Sequence, residues 1–246
     1  MGSAGLADSA GGWKDLPPSV RQISALAKED LTVREPGGPP DVFLWEHTRR
    51  VVDSIPPLLR LLKDEVGEPD RVALFAAGLY HDAGMASQVR DGTLSRWDVL
   101  SRPANEVQLE LAAGLAEERL TGRLPGSSLQ TAVSVIRGLN SRDAGLPEIH
   151  VLADADGLDQ IGPLAFWQAV RLNAVRGKGV QACVDAWLSQ QEYHFWEARL
   201  DRFRFDAVRR VAEKRLEALH SFLRAAAAMS RAEDLDAAAV AYVLRE

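Results

Sequence analysis

Apolar residues recur every three to four positions along most of this chain, which is the spacing of one face of an α-helix. No stretch alternates apolar and polar residues as a half-buried strand does, and no internal repeat is visible. Pro, Gly, Ser and Asp residues mark the ends of the helical stretches. The pattern predicts helices over residues 20–31, 42–62, 71–79, 103–115, 129–139, 147–159, 163–175, 180–188, 206–229 and 235–244. The predicted fold class is therefore all-α, a helical bundle.

Breaks in the pattern divide the chain into three parts. Its Gly-, Ala- and Ser-rich start predicts a disordered lead-in, and residues 34–40 interrupt regular structure with three prolines and two glycines. We therefore expect a lead-in and a short N-terminal helix over residues 1–40, the main domain over 41–230, and a C-terminal helix over 231–246.

Two features complicate the main domain. Pro56 and Pro57 predict a kink or a restart in the second helix, because proline lacks the N–H that the helix needs. The polar residues 87–102 contain an Asp-Gly turn signal and predict a loop. A loop next to a candidate site often carries substrate contacts.

Composition narrows the class of protein. Hydrophobic residues make up 46% of the chain and charged residues 26%, with a formal net charge of −6, so no nucleic-acid polymer is expected as a partner. Cys183 is the single cysteine, which excludes an internal disulfide and favours a small buried side chain in a reducing compartment. No apolar run approaches the ~20 residues that span a bilayer, so no membrane partner is expected and a cytoplasmic location is predicted. A homo-oligomer is kept as an alternative to a monomer.

The sequence places a histidine beside an aspartate at the end of an apolar run. Residues 71–79 are apolar enough to be buried, so the following His81 and Asp82 need polar partners. Both side chains are ligands for divalent cations. Adjacent helical positions point about 100° apart, so both can reach one ion only near a helix end, and Gly84 supplies a plausible end. This doublet predicts a metal site.

Further candidates lie before and after the doublet. His47 falls between the apolar residues Leu44 and Val51, on the inward face of its helix. A lone histidine there is more often a core residue bonded to a carbonyl group, but the doublet favours a ligand. Downstream, Asp156 and Asp159 share one helix face while Asp154 points away. Their apolar neighbours favour burial over the usual solvated acidic face.

In this order, a histidine, a His-Asp doublet and a distant aspartate resemble the motif of the HD-domain superfamily of metal-dependent phosphohydrolases. Residues 196–200 and 209–216 also resemble the C-terminal helices of small bacterial HD nucleotide pyrophosphohydrolases, so the resemblance covers roughly residues 40–230. It implies an HD-domain helical bundle with a metal site in its core. The ligands it implies are His47, His81, Asp82 and Asp156, with Asp154 as the fallback for the last.

The sequence departs from that family at two places. Many members carry Lys where this chain has Met85, so a cation near the phosphate is missing. Members with two metals add histidines around positions 105–106 and 140, and this chain has none there. We therefore expect one divalent transition metal, Mn, Fe, Co, Ni or Zn, and not the two-iron site of the superfamily's oxygenases.

By this resemblance, the chain is a hydrolase in which metal-activated water attacks the phosphorus of a nucleotide or another small phosphorylated compound. Asp82 is the first catalytic candidate, and Asp159 or Glu106 could orient or deprotonate the water. Phosphate would be held by one or more of four arginines, Arg50, Arg102, Arg137 and Arg142. Alternatives are an HD-fold hydratase or oxygenase, a non-catalytic ligand-sensing domain, and a helical bundle whose histidines and aspartates have no common role.

The remaining histidines and aromatic residues have structural interpretations. His194 and His220 are expected to be structural, whereas His150 is kept as a candidate to support a metal ligand. Six aromatic residues are predicted to pack the C-terminal helices onto the core, with no base-stacking platform: Trp187, Tyr193, Phe195, Trp196, Phe203 and Phe205.

Overall fold

A computed structural model describes residues 18–34 and 39–236 of the chain, and these residues form eleven helices and no strand beyond one isolated β-bridge. The helices are α1 (Pro18–Leu31), α2 (Phe43–Leu61), α3 (Arg71–Tyr80), α4 (Ala83–Arg90), α5 (Glu106–Leu120), α6 (Gly126–Arg137), α7 (Pro147–Asp159), α8 (Pro163–Val175), α9 (Val180–Glu192), α10 (Phe195–Leu200) and α11 (Asp206–Ser230). The all-α class predicted from the hydrophobic pattern is confirmed.

Helix α3 is the centre of the bundle. Every residue from 73 to 80 is buried, and α1, α2, α5, α6 and α7 all pack around it. The helix begins where the Asp70 carboxylate accepts a hydrogen bond from the backbone N–H of Ala73 at 3.0 Å. The prediction that this apolar stretch is buried is correct, and the doublet that follows it therefore enters the protein interior.

Helix α1 belongs to the same core. Its residue Asp30 is 7% exposed and accepts hydrogen bonds from the Tyr80 hydroxyl at 3.0 Å and from the Arg119 guanidinium at 2.6–3.1 Å. The Arg90 guanidinium donates to the backbone carbonyl of Asp30. Because these partners come from α3, α5 and α4, the carboxylate and the backbone carbonyl of one residue fix α1 against three other helices.

The last helices form a second layer on α7, with α11 in contact with α7, α8, α9 and α10. The predicted aromatic packing is found in part, since Trp187 and Trp196 are 5% and 9% exposed. Tyr193 is 77% exposed and does not belong to it, because it ends α9 at the surface. Phe195, Phe203 and Phe205 are partly buried against the core as predicted, and Phe203 lies against Gly157 of α7.

Two local predictions need correction, and a third loses one of its alternatives. Of the kink or restart predicted at Pro56 and Pro57, the restart does not occur, because α2 continues through both residues while its buried face packs on α3 and α7. Helix α4 extends to Arg90, so the loop predicted for 87–102 begins later; the Gln88 side chain accepts a hydrogen bond from Gln108 and ties this turn to α5. Gly84 lies in the first turn of α4 and does not end a helix.

Several predictions cannot be compared with the structure. The lead-in at residues 1–13 and most of the helix at 235–244 lie outside the described residues, as do residues 35–38. Among the helices that are described, none combines the length and the hydropathy of a membrane-spanning helix.

Gly84 has a packing role. A Cβ built on it would overlap the backbone carbonyl of Gln108, so α4 and α5 cross in direct backbone contact at this point. Because the carbonyl belongs to a helix, it cannot move aside as a flexible side chain would. Only glycine permits this crossing two residues after the Asp82 carboxylate.

Replacing Gly84 by Ala is expected to lower the free energy of unfolding by about 1–3 kcal/mol, the usual cost of overpacking a buried contact. Urea denaturation of the two proteins would measure the difference.

The matched control is Gly114→Ala on α5, where an added Cβ meets no atom within 4 Å. Alanine is the better helix former, so this variant is expected to gain roughly 0.5–1 kcal/mol. Equal stability of the two variants would contradict the close crossing at Gly84.

Candidate metal centre

Two helices and one turn bring the predicted ligands together. His47 lies on α2 and Asp156 on α7, while His81 and Asp82 occupy the turn between α3 and α4. This turn is the helix end that the adjacent doublet requires, although Gly84 does not form it. His47 and His81 are each 1% exposed and Asp82 is 5% exposed, so these three side chains are buried, whereas the Asp156 side chain is 20% exposed.

The hydrogen bonds of the two imidazoles fix which nitrogen of each is free. His81 Nδ1 donates to the carbonyl oxygen of Gly78 at 2.8 Å, and His47 Nδ1 donates to Asp159 Oδ2 at 2.7 Å. Each Nδ1 therefore carries the proton, and each Nε2 presents a lone pair to the site.

These lone pairs face carboxylate oxygens. His81 Nε2 lies 3.3 Å from Asp82 Oδ2, and His47 Nε2 lies 3.2 Å from the same oxygen and 3.3 Å from Asp156 Oδ1. Among the described residues, His47 Nε2, His81 Nε2 and Asp82 Oδ2 have no hydrogen-bond donor. Buried acceptors that converge in this way need a positive charge between them. The cluster of His47, His81 and Asp82 can hold a metal ion.

The electrostatics of the site agree with this view. Burial opposes protonation of His47, but hydrogen bonds with Asp156, Asp159 and Asp82 together raise its pKa well above the usual value. Conversely, burial would raise the pKa of Asp159, but hydrogen bonds from His47 and Arg50 lower it to about 2. The carboxylates therefore attract either a proton or a cation to His47 Nε2, and the two compete.

Asp159 orients the imidazole of the candidate ligand His47. Besides accepting from His47, its carboxylate accepts two hydrogen bonds from the Arg50 guanidinium, at 2.6 and 2.9 Å. Arg50, predicted to bind phosphate, is thus engaged with a carboxylate next to the site. The prediction that Asp156 and Asp159 share a face agrees with the structure, since both reach the His47 ring.

Asp154 points the other way, as its helical position predicts. Its carboxylate accepts hydrogen bonds from the backbone N–H groups of Arg204 and Phe205 at 2.9–3.2 Å, and so binds the segment that leads into α11. Burial raises the pKa of this carboxyl to about 6, although the two N–H donors oppose the shift. Asp154 therefore holds α11 against α7 and is not directed at the histidines.

A cavity of about 360 Å³ adjoins the cluster, and Asp156 lies in its wall. Four arginines line it, namely Arg142, Arg199, Arg202 and Arg204. Three of them were missed in the sequence, where their spacing within six residues at the end of α10 is the signal that could have found them. Arg204 donates to the carbonyl oxygens of Leu139 and Ser141, and Arg142 to that of Asp201, so both are held in place.

Gln160 links this cavity to the cluster. Its Nε2 donates to both carboxylate oxygens of Asp156, at 2.9 and 3.0 Å, and its Oε1 accepts from the guanidinium of Arg199. The orientation of Asp156 is thus tied to the position of Arg199.

The other residues predicted to bind substrate or to support the site lie outside the cluster of His47, His81 and Asp82. Arg102 lines a neighbouring cavity, whereas Arg137 is exposed and pairs with Glu110 at 2.7 Å. Glu106 is exposed and accepts from Asn140, a residue of the arginine-lined cavity. His150 bonds the carbonyl oxygen of Ala144 at 2.8 Å and is not part of the cluster.

Comparison with known proteins identifies the fold. No protein-family model matches the sequence, and no curated protein matches it. Among solved structures, YpgQ from Bacillus subtilis is similar with a TM-score of 0.54 and 19% identity, over 84% of this chain and 92% of that one. YpgQ in complex with ADP gives 0.53 and 19%, over 83% and 94%. A structural genomics target from Lactobacillus plantarum gives 0.52 and 19%, over 87% and 97%. The chain shares its fold with these proteins.

Replacing Asp154 by Ala is expected to destabilise the protein by about 1–3 kcal/mol, because the N–H groups of Arg204 and Phe205, just before α11, lose their acceptor. Chemical denaturation would measure the loss. Asp154→Asn keeps one acceptor oxygen and should lose less. An alanine variant as stable as wild type would contradict the role of Asp154 in holding α11 against α7.

Proposed function

We propose that this chain is a metal-dependent phosphohydrolase of the HD-domain superfamily, acting on a nucleotide or another small phosphorylated compound. One observation carries the proposal: three buried acceptor atoms without a donor among the described residues converge beside a cavity lined by arginines. The first feature suits a cation and the second suits phosphate. A phosphate ester that reaches both would lie between a metal and several guanidinium groups.

His47, His81 and Asp82 would hold the metal, with Asp156 as the fourth ligand. Two imidazole nitrogens and two carboxylate oxygens fit Mn, Fe, Co, Ni or Zn better than Mg. When bound, such an ion polarises a phosphoryl oxygen and lowers the pKa of water at its open positions.

The arginines supply the positive charge that the sequence lacks at Met85. Met85 is 2% exposed and packs in the core, so a lysine there would not be tolerated in this arrangement without burying its charge. Arg199, Arg202 and Arg204 instead provide guanidinium groups on the other side of Asp156. The complex of YpgQ with ADP is consistent with a phosphorylated ligand for this fold.

Asp159 and Glu106 were both predicted to orient or deprotonate the attacking water, and their surroundings suit different roles. Asp159 is ionised, and it bonds both His47 and Arg50, so it positions a ligand and is a poor proton acceptor. Glu106 is exposed beside the cavity and bonds only the amide of Asn140 among the described residues. Glu106 is therefore the better candidate to take a proton from water at the cavity mouth.

Replacing His81 by Ala is expected to abolish transition-metal binding and phosphate release, because one of the converging nitrogen ligands is lost. Metal analysis of the purified proteins and phosphate release from a panel of nucleotides, with and without pyrophosphatase, would measure both. His150→Ala is the matched control, since its imidazole bonds a backbone carbonyl outside the cluster.

A second pair separates the two aspartates of α7. Asp156→Asn should lose metal and activity, whereas Asp154→Asn should keep both and lose only stability. Metal without phosphate release in wild type would point to another reaction on this fold. A wild type that binds no transition metal would refute the proposal.

Replacing Arg202 by Ala is expected to raise the KM for a phosphorylated substrate about tenfold, the loss expected for one charge-assisted hydrogen bond. Arg202 is exposed in the cavity wall, so the fold should be unchanged. Arg137→Ala is the control, because its guanidinium is paired with Glu110. A larger effect at Arg137 than at Arg202 would place the phosphate elsewhere.

A further inference from the structure

A second cavity of about 260 Å³ lies in the layer formed by α8 to α11. Four aromatic residues contribute to its walls, namely Phe166, Trp187, Phe195 and Trp196. Helix α8, which forms one side, has no buried residue and is therefore not closely packed there. The aromatic side chains predicted only to pack helices together thus also enclose a space.

This aromatic cavity meets the arginine-lined cavity at a shared wall. Pro103, Gln160 and Arg199 line both of them. The guanidinium of Arg199 lies over the Phe195 ring at 5.5 Å, and it also donates to Gln160, which holds Asp156. Arg199 therefore contacts both the aromatic cavity and Gln160, the residue that binds Asp156 beside the candidate metal cluster.

The walls of the aromatic cavity contain unused polar groups. The indole N–H groups of Trp187 and Trp196 and the side-chain amide of Gln168 have no hydrogen-bond acceptor among the described residues. Buried indole N–H groups in proteins usually find a partner. These three atoms are buried and do not open onto the cavity, so the cavity offers a ligand the stacking surfaces of its rings and not these hydrogen bonds.

We propose that this aromatic cavity binds the planar base of a nucleotide whose phosphates lie against Arg199 and the arginine-lined cavity. The inference rests on the proposed function and adds to it the site of the base. Aromatic side chains stack on every base, and stacking contributes about 1–3 kcal/mol per base. The shared wall fixes the order: base, then phosphates at Arg199, then the scissile phosphate near Asp156.

Filling the cavity tests this order. Ala169 on α8 and Ala186 on α9 both line the aromatic cavity and are exposed, so Ala169→Phe and Ala186→Phe add a ring without displacing the core. Ala174→Phe is the matched control, since Ala174 is exposed on α8 but does not line the cavity. Thermal denaturation of all three variants would verify that they are folded.

Equilibrium binding of ADP, GDP, UDP and inorganic pyrophosphate to the full chain gives the readout. Wild type and Ala174→Phe should bind at least one nucleoside diphosphate about tenfold more tightly than pyrophosphate, the ratio expected from the stacking of one base. Each filled variant should lose that advantage and keep its affinity for pyrophosphate. Quenching of tryptophan fluorescence by the same nucleotide should disappear with it.

The outcomes are distinct. If wild type binds pyrophosphate and all three nucleotides equally, or if the filled variants retain the nucleotide preference, the base lies elsewhere and the phosphohydrolase proposal stands. If wild type binds neither pyrophosphate nor any nucleotide, the proposed function fails and this inference fails with it.

Discussion

The convergence of acceptor atoms in a buried core is the constraint on which the rest of the molecule depends. Asp82 Oδ2 lies 3.2 Å from His47 Nε2 and 3.3 Å from His81 Nε2. Such a group of acceptors is unfavourable unless a cation or a proton shares it. Other polar contacts hold the surrounding helices together. One example is the Asp30 carboxylate of α1, which binds Tyr80 of α3 and Arg119 of α5.

Helix α7 connects this core to the outer layer. Its aspartates face two ways: Asp156 and Asp159 reach His47, while Asp154 binds the backbone just before α11. Through Gln160, which follows the helix, the same segment contacts Arg199. One side-chain amide therefore connects Asp156, beside the candidate metal cluster, to Arg199 in the outer layer.

Much of the site could be predicted from the sequence because its chemistry is local. A His-Asp doublet after a buried helix and a histidine on an apolar face are visible as patterns, and helical spacing separated Asp154 from Asp156. The arginines were less predictable. Arg137 and Arg202 are both exposed, and only their tertiary neighbours distinguish an ion pair with Glu110 from a place in a cavity wall.

By itself, the sequence determined the helical class, the buried central helix and the candidate ligands, because these follow from periodicity and from residue type. The tertiary structure decided which ring nitrogens are free, that Gly84 serves a helix crossing, and that the aromatic side chains surround a cavity. The physical reason is distance along the chain. Hydrogen-bond partners and cavity walls come from helices many residues apart, and no local pattern records how those helices pack.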